Sequence, residues 1–302
     1  MKKVILTFAL CLGCATAFAQ VLTVTSMRKV STESGKAVVA GISPKGDYLL
    51  ITDARNNGLS KLDLATGATT QITDAPGAGY NAQISDDGTQ VVYRKNSFKN
   101  HLRKTAVLKH DLATGAASQL VAESRHIQGV AIDGDAAVTI NKGKATVKSL
   151  GVRKAKAQNP VFSIANGALM MTVGSRTTVF SPNGTNYRYI WPSLSPDKTR
   201  VLYYVSGVGA FVADLKGNIV AELGAVRAPK WLGNNVVVGM HDTDNGEVVT
   251  ASEIVAVDLA GNRQVLTDDS MIAMYPHASA DGSKIAFSTI DGEAYIIDIN
   301  NK

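Results

Sequence analysis

Five histidines, His101, His110, His126, His241 and His277, are the side chains of this 302-residue sequence best suited to hold a metal or to move a proton near neutrality. No two of them stand at the short spacing of a zinc motif. Aspartates are more numerous and fall into two recurring sets, Asp47, Asp87, Asp197 and Asp281, then Asp63, Asp111, Asp214, Asp258 and Asp298. A residue needed once per repeat is turn or strand-capping chemistry rather than catalysis. Asp242-Thr-Asp-Asn-Gly-Glu247 resembles a calcium loop, but its glycine falls one place early, so a solvated hairpin loop is expected there. There is no Gly-x-Ser-x-Gly elbow for a hydrolase nucleophile.

Met1-Lys-Lys3, the apolar run from Val4 to Gly13 and Ala17-Phe-Ala19 form the charged, apolar and small-residue regions of a secretory signal peptide. Residues 1–19 are therefore expected to be removed and 20–302 to form one exported domain, periplasmic or at the cell surface. The alternative is a lipoprotein box at Leu12-Gly-Cys14, with Cys14 lipidated. Cleavage after Ala19 removes both cysteines, Cys11 and Cys14, and with them disulfides, thiolate metal sites and cysteine nucleophiles. Loss of Lys2 and Lys3 takes 31 basic residues to 29 against 25 acidic, so the net charge falls from +6 to +4. That mild balance gives no reason to expect a nucleic-acid partner. No stretch reaches the roughly twenty apolar residues of a membrane-spanning helix, so no integral span is expected.

The elements that must position these residues are repeats. Ile42-Ser-Pro-Lys-Gly-Asp-Tyr-Leu-Leu-Ile51 aligns with the segments 84–93, 194–203 and 278–287, each reading as strand, tight turn, strand. Lys61-Leu-Asp-Leu-Ala-Thr-Gly67 recurs at 109–115, 212–218 and 256–262, and Ile296-Ile-Asp-Ile-Asn300 is a fifth copy. Another alternating strand follows this second turn, as in Thr69 to Thr73. One repeat is thus four antiparallel strands, and intervals of 40 to 48 residues between clear copies are those of a propeller blade. The interval between Asp111 and Asp214 is degenerate; two weak blades there make seven in all, with six as the alternative. The seven are expected to start near Ala37, Tyr80, His126, Pro160, Trp191, Pro229 and Tyr275. The last has only three strands before Lys302, so Val21 to Val30 is expected to pair with Ala294 to Ile299 and close the ring.

These repeats resemble those of the TolB-like β-propellers, relatives of WD repeats, on Pro192-Ser-Leu-Ser-Pro-Asp197 with Asp214-Leu215 and on Pro229-Lys-Trp-Leu-Gly-Asn234 with Asp258-Leu259. The resemblance implies the fold for nearly the whole mature chain, but not one function. Proteins of this kind include envelope scaffolds, peptidase-attached propellers and metal-dependent propeller lyases. Fewer than 20 residues separate the cleavage site from the first blade, which leaves no room for the α/β domain that precedes the propeller of TolB.

In such a ring the loops joining second and third strands share a face with the loops joining blades. Lys95, Lys99, Arg103, Lys104, Lys142, Lys144 and Arg176 should gather on that face, with Asp242, Asp244 and Glu247 across it. Tyr80, Trp191 and Tyr275 should stand at the channel mouth as aromatic anchors. The expected function is a monomeric, non-catalytic scaffold without a cofactor, engaging an envelope protein or an anionic glycan through that face. The runner-up is a propeller uronate lyase with a metal held by His126, His241 and His277.

Overall fold

The computed structural model describes residues 20–30, 32, 36–151 and 156–300, so the expected signal segment with Cys11 and Cys14 lies outside the described residues. Order begins in the turns. Ser43 Oγ accepts the backbone N–H groups of Asp47 (2.9 Å) and Tyr48 (3.1 Å) and donates to Asp47 Oδ1 (2.5 Å). Ser85 with Asp87, Ser195 with Asp197 and Ser279 with Asp281 repeat the serine-to-carboxylate bond at 2.5–2.6 Å. In the second motif Asp63 Oδ1 accepts from the N–H of Ala65, the N–H of Thr66 and the Thr66 hydroxyl, and Asp111 does the same with Ala113 and Thr114. The Thr66 N–H, then its hydroxyl, hold the Asp63 carboxyl below the usual carboxylate range. These aspartates build turns.

Between the turns the β-branched and aromatic residues pair into seven antiparallel sheets. Blades 1 and 2 are Val38–Ile42, Tyr48–Thr52, Leu59–Asp63, Thr69–Thr73 and Gln83–Ile84, Gln90–Lys99, Leu102–Asp111, Ala117–Ser124. Blades 3 and 4 have three strands each among the described residues, Ile127–Asp133, Ala136–Asn141, Lys144–Ser149 and Val161–Ala165, Ala168–Val173, Arg176–Val179. Blades 5 and 6 are Tyr189–Leu194, Arg200–Val205, Gly209–Asp214, Ile219–Gly224 and Arg227–Leu232, Val236–Asp244, Val249–Asp258, Arg263–Val265. Blade 7 is Ala273–Ala278, Lys284–Thr289, Ala294–Asn300 and, as its outer strand, Thr23–Val30. Seven blades are thus present, and two occupy the degenerate interval. There the chain leaves the third strand at Ser149 and Val179 without a fourth paired strand among the described residues. No helix among the described residues is long and apolar enough to cross a membrane.

First strands of successive blades pack on one another right round the ring, blade 7 on blade 1 included, so these strands surround the axis. The core is divided accordingly, with one apolar cluster in each of the seven gaps between blades. The gap between blades 6 and 7 holds Met240, Ile254, Ile285, Phe287 and Ile297, whereas that between blades 3 and 4 holds only Val138, Ile140 and Val161 as fully buried members. Packing is thinnest where the repeat is hardest to read.

Closure uses the N-terminal segment as expected, with Thr23 opposite Asn300 and Val30 opposite Ala294. Asp298, the fifth copy of the turn aspartate, has a different task here: it accepts from Lys284 Nζ (2.5 Å) and from Ser26 Oγ (2.6 Å), tying three strands of blade 7 together. Gln264 Oε1 receives the N–H groups of both Val21 and Leu22 at 2.8 Å, and Leu22 and Val30 enter the apolar gaps on either side of blade 7. Deleting residues 20–30 removes this ladder and two buried aliphatic side chains, each worth about 1.5–3 kcal/mol. The melting temperature should fall by roughly 10 °C or more, measured by circular dichroism; an unchanged melt would show that closure is not structural.

Candidate functional site

At one end of the ring the second and third strands of each blade are joined, and in blade 2 this hairpin runs on. Its ladder extends from Gln90 opposite Asp111 to Lys99 opposite Leu102, and Asn100 and His101 turn it with φ of 50° and 60°. Both central residues are left-handed, the conformation that matches the twist of paired strands. Lys95, Lys99 and Arg103 are exposed on it and Lys104 is half-buried. Phe98 and Leu102, beside the turn, are 67% and 46% exposed. The hairpin is braced at Asn96, whose N–H donates to Pro76 O (2.8 Å) and whose Oδ1 accepts from Thr105 Oγ1 (2.7 Å). Gly77 makes this brace possible, since a Cβ there would fall 2.1 Å from Asn96 Nδ2.

Tyr80 lies before the first strand of blade 2, 58% exposed, with the Arg94 guanidinium 5.3 Å from its ring centre. It therefore pairs with a cation at the hairpin base. Burial lowers the proton affinity of Arg94, Tyr80 opposes this and Arg103 adds to it. In blade 3, Lys142 and Lys144 flank an exposed turn, and the Lys142 N–H donates to His126 O (3.2 Å). Arg176 is exposed at the corresponding corner of blade 4.

Blade 6 carries the acidic residues, and they separate. Asp244 and Glu247 are exposed around the hairpin turn. Asp242 lies within the strand Val236–Asp244, with its side chain 1% exposed, ion-paired to Arg227 of the neighbouring first strand. Its Oδ1 is buried without a hydrogen-bond partner. Asp242 is therefore an internal charge of the blade, whereas Asp244 and Glu247 are solvent-facing.

The channel wall contains a feature that repeats. First strands of blades 5, 6 and 7 bulge at Trp191-Pro192, Ala228-Pro229 and Tyr275-Pro276, and the residue before each proline has φ near +50° (52°, 47° and 52°). Trp191 is half-buried edge-on to Tyr204 at 5.6 Å, and Tyr275 is exposed. Directly after the bulges come Ser193, Lys230 and His277 at equivalent positions. Burial, then the positive charge of Lys230, push the His277 imidazole down to about 3, against a hydrogen bond to the Val39 backbone that raises it. Burial alone lowers the Lys230 ammonium. Both residues are half-buried.

The histidines do not converge. His126 is exposed in blade 3, His241 is exposed and faces Glu253 (3.3 Å) across blade 6, and His277 is half-buried in the first strand of blade 7 with a hydrogen bond to the Val39 backbone of blade 1. Among the described residues no group of three or more His, Cys, Asp or Glu side chains is arranged to hold a metal ion. Lys230 and Arg227 were not singled out from the sequence. Aligning Pro192, Pro229 and Pro276 would have placed Lys230 in one row with His277, and that signal was present.

No protein-family model and no curated protein matches this sequence. Among solved structures the chain is similar to a chain of a mitotic checkpoint complex, with a TM-score of 0.60, 10% identity and all of both chains covered. It is also similar to an oligogalacturonate lyase in complex with manganese, with a TM-score of 0.49, 13% identity, and 86% of this chain and 76% of that one covered. The oligogalacturonate lyase of Vibrio parahaemolyticus gives a TM-score of 0.49 and 12% identity over 93% of this chain and 91% of that one. At such identities the similarity shows the fold alone, a seven-bladed β-propeller.

Two outcomes follow from the buried charges. Arg227→Met strands the Asp242 carboxylate and should cost about 3 kcal/mol of unfolding free energy, read by urea denaturation; a loss within error would mean that the pair contributes nothing. His277, with a folded pKa of about 3 against roughly 6.5 unfolded, takes up a proton on unfolding between these values. Its contribution is fully present above the unfolded value and is lost as pH falls from there towards 3. His277→Leu should flatten stability against pH in that window by up to about 1.4 kcal/mol per pH unit; an unchanged slope would show that this imidazole is not held neutral.

Proposed function

We propose that this protein is an exported, monomeric, non-catalytic binding module of the TolB-like kind, periplasmic or at the cell surface. Its partner is acidic, an envelope protein or an anionic glycan, and docks on the hairpin face. The observation that carries this reading is the extended blade 2 hairpin, where Phe98 and Leu102 stand exposed among Lys95, Lys99, Arg103 and Lys104. None of the ion pairs among the described residues includes these four cations, Lys142 or Lys144. An aromatic anchor within an unneutralised basic rim is an arrangement that binds anionic surfaces and draws them in at long range. Asp244 and Glu247 supply the opposite sign on blade 6, which orients a partner with its own charge asymmetry.

The test uses polygalacturonate and poly-glutamate as probes of the two partner chemistries. The wild-type chain should retain at least one of them, more weakly as salt rises. The variant Lys99→Glu/Arg103→Glu/Lys104→Glu should lose about tenfold or more in affinity while melting as before, because Lys99 and Arg103 are exposed and none of the three belongs to an ion pair or an apolar cluster. Failure to retain either probe, or equal affinity in the variant, would overturn the site. Release of an unsaturated uronide from polygalacturonate with manganese present would overturn the non-catalytic reading.

A further inference from the structure

The register of blade 3 shows which backbone groups of its last strand are in use. Lys142 and Gly143, with φ of 50° and 70°, form a two-residue turn, and the ladder then runs without a shift from Asn141 opposite Lys144 to Ala136 opposite Ser149. The pair flanking such a turn exchanges hydrogen bonds, and bonded and non-bonded pairs alternate from there. Lys144, Thr146 and Lys148 therefore direct their N–H and C=O groups to the strand Ala136–Asn141. The Leu150 N–H, donated to Asp135 O (2.8 Å), continues the same parity. Ala145 and Val147 direct theirs the other way, where no strand lies among the described residues.

Side chains follow the same alternation. Lys144, Thr146 and Lys148 are exposed on one face, and neither lysine belongs to an ion pair among the described residues. Ala145 and Val147 are half-buried on the other, against the sparse cluster of Val138, Ile140 and Val161. In blade 5, which has its fourth strand, the third strand Gly209–Asp214 is buried along almost its whole length. The corresponding strand of blade 4, Arg176–Val179, offers only four residues and one cation.

Blade 7 shows that this fold takes an outer strand from a remote stretch of chain, since Thr23–Val30 fills that place. We propose that the outer edge of blade 3 is a docking edge for an extended segment of a partner protein in which acidic and aliphatic residues alternate. Added as a fourth strand, the segment pairs its backbone with Ala145 and Val147, sets carboxylates beside Lys144 and Lys148, and extends the sparse apolar cluster with its aliphatic side chains. A second copy of this chain fits poorly, because antiparallel pairing of two such edges brings lysines on to lysines. The inference rests on backbone register and is separate from the blade 2 hairpin.

The probe is a capped synthetic peptide of alternating Glu and Val, with one of alternating Lys and Val as its counterpart, and the readout is amide hydrogen exchange resolved by NMR. In the free wild-type protein the Ala145 and Val147 amides should exchange fast, and those of Thr146 and Lys148 slowly. The Glu/Val peptide should slow Ala145 and Val147 saturably by about tenfold or more, and the Lys/Val peptide should not. Lys144→Glu/Lys148→Glu should reverse this preference. Val147→Pro removes one outward donor and no ladder bond, so it should melt as the wild type and bind the Glu/Val peptide roughly tenfold more weakly. Lys99→Glu/Arg103→Glu/Lys104→Glu should keep the protection; its loss there would assign the peptide to the hairpin face and overturn this site alone. Slow exchange of Ala145 and Val147 before any peptide is added, protection absent at every peptide concentration, or unaltered affinity in a folded Val147→Pro would overturn the proposal. So would protection that grows with protein concentration alone, which would make the occupant a second copy.

Discussion

Every blade of this protein is a sheet with two apolar faces, so each must be covered on both sides, and only a closed ring does this for all of them at once. The contact that closes the ring is the ladder between Thr23–Val30 and Ala294–Asn300. It joins the two ends of the chain, and its flanking residues Leu22 and Val30 seal the gaps on both sides of blade 7. Without it the last sheet has an open edge and two clusters lose part of their lining. The polar ties around it, through Gln264, Asp298 and Glu293, have partners more than 240 residues apart for Gln264 and Ser26–Asp298. Local turns can form early, but the domain is complete only when its first strand arrives.

The two ends of the ring differ in how their polar groups are used. At the turn end, serines and aspartates are consumed by the turns, bonded to amides two to five residues away. Those carboxylates have little capacity left for a ligand. On the blade 2 hairpin, Lys95, Lys99, Arg103 and Lys104 take part in none of the ion pairs among the described residues, and Phe98 and Leu102 are exposed. The axis is a third environment, in which bulges before proline hold Ser193, Lys230 and His277 in one row.

The fold was legible because its determinants are short-range. Ser43 with Asp47, or Asp63 with Thr66, satisfies its hydrogen bonds within five residues, so each turn is written in consecutive letters. Spacing then counted the blades, and the missing fourth strand of the last blade pointed to the N-terminus. The site was legible only in part. Lys99 and Arg103 could be assigned to an exposed hairpin from the strand pattern, yet nothing local showed that Gly77 and Asn96 would brace that hairpin. Asp242 reads as part of a polar loop, but the strand continues through it and turns it inward to Arg227.

What the sequence by itself determined was the unit and its number: strand, turn, strand, repeated at blade spacing, with an edge left for the first strand to cover. Tertiary structure decided which side chains share a space. Lys230 and His277 belong to different repeats and stand at equivalent positions of neighbouring first strands, after matching bulges. That placement depends on how one sheet packs on the next, through the apolar cluster between blades 6 and 7, and no local pattern encodes it.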